Sequence, residues 1–324
     1  MNIVLAACGD IGWRVAQCMY GNLAREAENS PPTPVHFYAL RRNPPDPSPA
    51  ATGLEEHQIA GFLQSLTWVA SDLTGTELEL QRVRAQLPPR IDAVIATPVP
   101  HRLDGYTDYQ KGYIGMAEAL PQLFQDPGTQ LIWVSSTGVY SGLKHATSRP
   151  NVIDASTLAC PGSEASEALL QAEQIACSSG LLASIIRPAG IYGPGRMGLI
   201  RRAQTGPYQT HDAHDNRMTN RIHSVDLAGF IAHLLGLHSG GRRLLPLYLA
   251  TDGDAQPGSV VVEWIRSELA ARGVVLGDRR RKEAGRQTAG LPISNDSLLS
   301  SGYRLIYPDF RAGYGSLLDA FATL

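Results

Sequence analysis

Gly9 and Gly12 follow a short apolar run, Asn2 to Ala7, and precede a segment in which Val15, Cys18, Met19 and Leu23 recur at helical spacing. Strand, glycine turn and helix in that order suit a phosphate cradle, the alternative being a purely structural turn. Glycines let the chain reverse tightly and let a pyrophosphate approach the backbone, while the helix start presents free N–H groups and its positive end. Asp10 and Ile11 complete the turn. The first glycine is missing in both frames, since GxGxxG places Ala7 there and GxxGxxG places Ala6. Alanine is the smallest replacement, so the turn survives if that position keeps φ below zero. Leu5 to Cys8 also parses as a lipoprotein cleavage box, but the seven residues before Cys8 carry no lysine or arginine, so a cofactor turn is expected instead.

Folds that take NAD usually end the second strand with Asp or Glu, which accepts from the ribose hydroxyls. Here the second strand candidate, Val35 to Leu40, runs into Arg41 and Arg42. Guanidinium groups there suit a 2′-phosphate, so NADP (NADPH) is expected over NAD, the alternative being a solvated surface pair. Asp72, at the end of the third strand candidate, stands either near the adenine or as a cap for Leu73 and Thr74.

These residues need a sheet to hold them. Leu66 to Ala70, Ile91 to Ala96, Gln130 to Ser135 and Leu182 to Arg187 read as further strands, and Thr76 to Gln86, Tyr113 to Phe124 and Glu164 to Ser178 as helices. Such alternation predicts an α/β fold, a doubly wound parallel Rossmann sheet with a smaller C-terminal substrate lobe. Residues 1–190 form the dinucleotide-binding domain, rejoined by about 221–250, and residues 191–220 and 251–324 form the lobe. Gly190, Gly193 and Gly195 break the regular pattern. Beyond them come a polar stretch Gln204 to Asn220, a helix Val225 to Leu235, a strand Leu245 to Ala250, a helix Ser259 to Ala271 and an arginine-bearing loop Gly277 to Gly290.

The 324 residues are 43 % hydrophobic and 18 % charged with a net charge of -2, which offers no field for nucleic acid. No apolar run approaches the roughly 18 residues that span a bilayer. The cysteines Cys8, Cys18, Cys160 and Cys177 lack zinc-like or CxxC spacing, which fits a reducing cytoplasm. His211, Asp212, His214 and Asp215 have a superficial metal look without a third ligand at regular spacing, so no metal is expected.

Three longer stretches are more specific: Trp133-Val134-Ser135-Ser136-Thr137-Gly138-Val139-Tyr140, Arg187-Pro188-Ala189-Gly190-Ile191-Tyr192-Gly193-Pro194-Gly195-Arg196, and Asn220-Arg221-Ile222-His223-Ser224-Val225-Asp226. With them the chain resembles, nearly end to end, the extended short-chain dehydrogenase/reductase superfamily in its atypical NAD-dependent epimerase/dehydratase branch. The resemblance implies that Ser136, with Thr137 beside it, hydrogen-bonds the reacting oxygen, that Thr97, Pro98 and Pro188 border the cofactor, and that Arg196, Arg217 and Arg221 line the substrate pocket. It also implies a homodimer built on the helices Tyr106 to Leu120 and Glu164 to Ser178. The catalytic tyrosine and lysine of the family are absent, because Ala165 and Leu169 stand at their places.

A substitute acid must come from elsewhere. Glu164 serves as a buried acid or base, or as a capping partner at the helix start. Tyr106, Tyr109 and Tyr113 share one helical face and are either packing residues or proton donors; Tyr140 and Tyr192 are equally open. His223 donates to substrate or pins its loop. The expected function is an NADP(H)-dependent oxidoreductase or epimerase acting on a small carbonyl, imine or sugar-like substrate, with Gln209 to Asp215 as a lid. The alternatives are a non-catalytic NADP(H)-binding sensor or regulatory protein, and a lyase-like use of the cleft driven by Glu164.

Overall fold

Val4, Leu5 and Ala6, and likewise Val94, Ile95 and Ala96, are fully buried, so the short apolar runs become central strands covered on both faces. The computed structural model describes residues 1–27, 34–43, 54–103, 105–143, 146, 150–206, 208–210, 218–277, 279–281 and 290–323. Its chain divides into two units, Met1–Tyr140 with Ala159–Arg187 and Ala228–Tyr248, and Ser141–Leu158 with Pro188–Leu227 and Leu249–Leu324.

The chain begins β1 (Asn2–Ala6), α1 (Asp10–Ala27), β2 (His36–Arg41), α2 (Glu56–Gln64), β3 (Leu66–Ala70), α3 (Glu77–Arg84) and β4 (Ala93–Ala96). A hairpin follows, β5 (His101–Leu103) and β6 (Tyr106–Asp108), then a π-helical turn Gln110–Gly115 that runs into α4 (Met116–Leu123). Next come β7 (Gln130–Val134), a 3-10 turn Thr137–Tyr140, α5 (Glu164–Cys177) and β8 (Leu182–Pro188). The remainder comprises β9 (Gly190–Tyr192), α6 (Gly198–Thr205), β10 (Tyr208–Thr210), β11 (Met218–Thr219), β12 (Arg221–His223), α7 (Ser224–Ser239) and β13 (Leu247–Ala250). It ends with β14 (Gln256–Pro257), α8 (Gly258–Ala271), β15 (Arg279–Arg281), α9 (Asp296–Leu299) and α10 (Phe310–Ala322).

Seven strands form a parallel Rossmann-like sheet in the order β13-β8-β7-β4-β1-β2-β3. The chain winds outward from β1 to β3 and then crosses to β4 on the other side of β1. That reversal is the switch point at which such sheets bind ligands. Ala6 pairs with both Leu40 and Ala96, so the carboxyl ends of β1, β2 and β4 are level. One layer of the core packs Leu40, Val94, Leu120, Trp133 and Ala172 together.

Several elements differ from expectation. Helix α2 was not legible as one, yet Glu55 and Gln58 close a capping box at its start. Tyr106 lies in the β5-β6 hairpin, whose turn Gly105 takes at φ 83°, so it shares no helical face with Tyr109 and Tyr113. Gly112 lets the π-helical turn approach the backbone of Val99, Pro100 and His101, where a Cβ would collide. The Arg279–Arg281 run, read as loop, forms β15 paired with β10.

In the second unit β9 pairs with β12, and Tyr192, Ile200, Val262, Ile265, Phe310 and Leu318 form a core. Among the described residues no helix is long and apolar enough to cross a membrane, and no group of three potential metal ligands occurs.

Candidate functional site

The glycine turn starts from an unusual backbone. Ala7 has φ 55° and is, among the described residues, the non-glycine residue in the left-handed region. The condition of a negative φ is not met: the conformation that glycine adopts freely is kept, and alanine bears its cost of roughly 1–2 kcal/mol. The frame is also decided, since Ala6 belongs to the β1 ladder and Ala7 occupies the place of the first glycine.

Three bonds hold this strain in place. The Thr97 hydroxyl donates to the Ala7 carbonyl at 2.9 Å and the Thr97 N–H to the Ala6 carbonyl at 3.1 Å. The Cys8 N–H donates to the Leu40 carbonyl at 2.9 Å, which ties the turn to the end of β2. Burial pushes the Cys8 thiol up to about 12, opposed by the charge of Arg41.

A Cβ at Gly9 would meet nothing closer than the Ala7 carbonyl at 3.9 Å, and one at Gly12 would touch Cys8 Sγ at 3.6 Å and Thr97 Oγ1 at 3.7 Å. Gly9 thus leaves open the space that a phosphate group needs beside a helix start. Ile11 is buried, and Asp10 turns its carboxylate to Arg14 at 2.7 Å, which offsets its negative charge next to the cradle. The residues present fit a dinucleotide: Gly9, Asp10, Ile11 and Gly12 would offer backbone N–H groups to its pyrophosphate.

Arg41 and Arg42 are both exposed at the end of β2. Arg42 Nη1 lies 3.9 Å from Asp72 Oδ2 and donates to His101 Nε2 at 3.3 Å. Asp72 accepts from the Thr74 N–H at 3.0 Å and the Thr74 hydroxyl at 2.7 Å, a turn-capping geometry. Burial alone would raise the Asp72 carboxyl, but these bonds and the Arg42 charge carry it below its ordinary value. Thr97 and the half-buried Pro98 continue β4 at the same edge.

Ser136 follows β7. Its hydroxyl oxygen accepts from the Gly138 N–H at 3.0 Å, inside the turn that Thr137 opens. A Cβ on Gly138 would lie 3.3 Å from Ser136 Oγ and 3.9 Å from Leu169 Cδ1, so Ser136 and Leu169 both border this glycine. Glu164 is the exposed first residue of α5. It is not a desolvated acid, and the capping box belongs to Ser163 and Ser166 instead. Tyr113 is half-buried against Tyr109, with ring centroids 6.2 Å apart, and burial pushes its hydroxyl up, away from proton transfer near neutrality.

Sequence reasoning missed the best-defined polar group of this unit. Arg187 donates to Glu173 through Nε at 3.0 Å and Nη2 at 2.6 Å, and through Nη1 to the Tyr140 hydroxyl at 2.6 Å. All three are buried. The network joins β8, α5 and the 3-10 turn that carries Thr137. Its signal was an acid among Leu169, Ala172 and Ala176 on the apolar side of α5.

Of the three arginines expected to line a substrate pocket, the second unit describes Arg196 and Arg221. Arg217 and the stretch His211 to Asp215 lie outside the described residues. Arg196 is exposed, its N–H donating to the Gly193 carbonyl at 2.8 Å. Arg221 is only 4 % exposed, and its guanidinium donates to the Asp254 carbonyl at 3.1 Å, the Thr219 carbonyl at 3.0 Å and the Thr219 hydroxyl. Those bonds commit it to its own unit. Pro188, the last residue of β8, is buried.

His223 is buried, its Nδ1 accepting from the Val225 N–H at 3.3 Å and its ring held between Tyr307 at 4.0 Å and Tyr192 at 5.2 Å. That geometry is a loop anchor. Asp226 accepts from the Tyr303 hydroxyl and the N–H groups of Ile306 and Tyr307 at 2.7–3.1 Å. Burial raises Asp226, and raises Asp252 to about 7 against the opposing charge of Arg221.

No protein-family model matches the sequence, and no curated protein sequence matches it. Solved structures do. A protein from Methylobacillus flagellatus, provisionally named an NAD-dependent epimerase/dehydratase, is 27 % identical over 99 % of this chain and 98 % of its own, with a TM-score of 0.68. The dTDP-glucose 4,6-dehydratase of Bacillus anthracis, solved with NAD, is 16 % identical over 100 % and 97 % of the two chains, with a TM-score of 0.70. The UDP-glucuronic acid 4-epimerase of Bacillus cereus, solved with NAD and a sugar nucleotide, is 13 % identical over 100 % and 99 %, with a TM-score of 0.71. The structural neighbours of this chain thus carry the names of an NAD-dependent epimerase/dehydratase, a sugar-nucleotide dehydratase and a sugar-nucleotide epimerase, and the chain has their Rossmann-like fold.

Proposed function

We propose that the chain is an NADP(H)-dependent oxidoreductase or epimerase acting on a small carbonyl, imine or sugar-like substrate. The observation that carries the reading is the strained Ala7 turn, tied to Thr97 on one side and to the Leu40-Arg41 strand end on the other. The named neighbours were solved with NAD. What favours NADP here is the arginine pair at the end of β2, where an acid would serve NAD.

When bound, the nicotinamide would supply a hydride. The chain's own part is to hold the pyrophosphate at Gly9 to Gly12 and to present Ser136 as a hydrogen-bonding hydroxyl. Its hydrogen is available, because the Gly138 N–H occupies only the oxygen's acceptor side. Titration of the purified protein with NADPH and NADH, followed by nicotinamide fluorescence, tests the binding half. Incubation with NADPH and panels of ketones, imines and sugar nucleotides tests the chemistry.

A second reading is a non-catalytic NADP(H) sensor. Ala165 and Leu169 favour it, as does a Tyr113 hydroxyl pushed away from neutrality. Tight NADPH binding without turnover across the panel would select it.

A further inference from the structure

We propose that the two arginines at the end of β2 have different tasks: Arg41 alone meets the 2′-phosphate of NADP(H), and Asp72 with His101 holds Arg42 aside, making these two specificity-determining positions. This inference rests on the NADP(H) reading above and divides its site.

The two guanidinium groups differ in what already surrounds them. Arg42 Nη1 is shared between Asp72 Oδ2 at 3.9 Å and His101 Nε2 at 3.3 Å. Asp72 is itself fixed, because Thr74 donates twice to its other oxygen. An arginine in that position must give up both partners to serve a phosphate, and its charge is already partly compensated. Arg41 has no carboxylate or imidazole partner among the described residues.

Position separates them as well. The strand end is laced on both sides, with the Cys8 N–H donating to the Leu40 carbonyl at 2.9 Å and the Ser71 N–H to the Arg41 carbonyl at 3.1 Å. The charge of Arg41 bears on the Cys8 thiol inside the glycine turn, whereas that of Arg42 bears on Asp72 at the exit of β3. The Arg41 backbone thus sits one residue beyond the Leu40 carbonyl that holds the glycine turn, and its charge reaches that turn. A free guanidinium beside a phosphate dianion gains a charge-assisted, potentially bidentate contact, while a tethered one gains only the difference between two ionic partners.

The test is a set of dissociation constants for NADPH, NADH and adenosine 2′,5′-bisphosphate, measured by calorimetry on wild type, Arg41→Ala, Arg42→Ala and the double variant Asp72→Asn/His101→Gln. Arg41 and Arg42 are exposed and Asp72 and His101 half-buried, so melting temperatures verify folding of every variant. Arg41→Ala is expected to cut the NADPH-over-NADH preference by about tenfold or more, with Arg42→Ala changing it less than about threefold. The double variant releases Arg42 and is expected to restore part of the preference when added to Arg41→Ala.

Equal losses in the two single variants, or no rescue by the double variant, overturn the division of tasks. A wild type that binds both nicotinamides equally overturns the NADP reading itself, and the inference with it. A wild type that prefers NADPH but loses the preference only at Arg42 overturns this assignment and leaves the reading standing.

Discussion

The Thr97 hydroxyl donates to the carbonyl of Ala7, a residue held at φ 55°, across 2.9 Å. One bond therefore joins the exit of β4 to the most strained point of the glycine turn, on the two strands that flank the switch point of the sheet. Loss of either partner should disturb the cradle before it disturbs the sheet.

Thr97→Val removes the hydroxyl while keeping the branched shape. It is expected to cost about 1 kcal/mol of stability by urea denaturation, and to weaken NADPH binding beyond that of a surface control. Unchanged NADPH affinity would separate Thr97 from the cradle.

Ala7→Gly relieves the left-handed strain but frees the unfolded chain, two effects of roughly 1 kcal/mol with opposite signs. Stability is expected to stay level or rise slightly. Ala7→Val, a β-branched residue at the same φ, is expected to lose at least about 2 kcal/mol. Thermal melting of the pair checks the asymmetry.

Glu173→Ala leaves the Arg187 guanidinium buried without its carboxylate and is expected to destabilise by about 3–5 kcal/mol. Tyr140→Phe removes one hydrogen bond to a charged donor and should cost about 1.5–3 kcal/mol. Chemical denaturation of both variants ranks the two contributions; a larger loss for Tyr140→Phe would contradict the geometry.

Asp252 should make stability fall as pH rises. Its folded carboxyl keeps a proton up to about 7, whereas the unfolded chain releases it near the ordinary value of 3.8. Between those values the folded state binds more protons, so the favourable contribution is complete below the lower value and lost as pH climbs through the upper one. Asp252→Asn is expected to flatten the pH–stability curve between about pH 4 and 7, with Asp226, also raised, leaving a residual slope.

Cys8 should resist alkylation in the folded protein. Burial both shields the thiol and pushes it up to about 12, so little thiolate is present at pH 8. Mass spectrometry after native and denaturing alkylation is expected to find Cys8 modified only in the second sample. Labelling of native Cys8 as rapid as that of exposed Cys177 would refute its burial.

The alternating apolar runs and the glycine spacing made the sheet legible, because a parallel strand buried on both faces needs a nearly continuous apolar segment. Helix α2 escaped because a few apolar residues, Ile59 and Phe62 among them, mark its face. Tyr106 was misplaced because tyrosines at spacings of three and four fit a helix until Gly105, with its positive φ, turns the chain into a hairpin.

For the site, residue types alone singled out the glycine turn and the arginine pair as candidates. Only the tertiary structure decided which of them are committed. Arg221 and Arg42 look alike in a sequence, yet one spends its donors on Thr219 and Asp254 and the other lies against Asp72 and His101. Glu173 gains its partner only when β8 brings Arg187 against α5. The reason is physical: local sequence sets which backbone a segment can adopt, whereas the partners of a long polar side chain come from segments far along the chain, and only packing chooses among them.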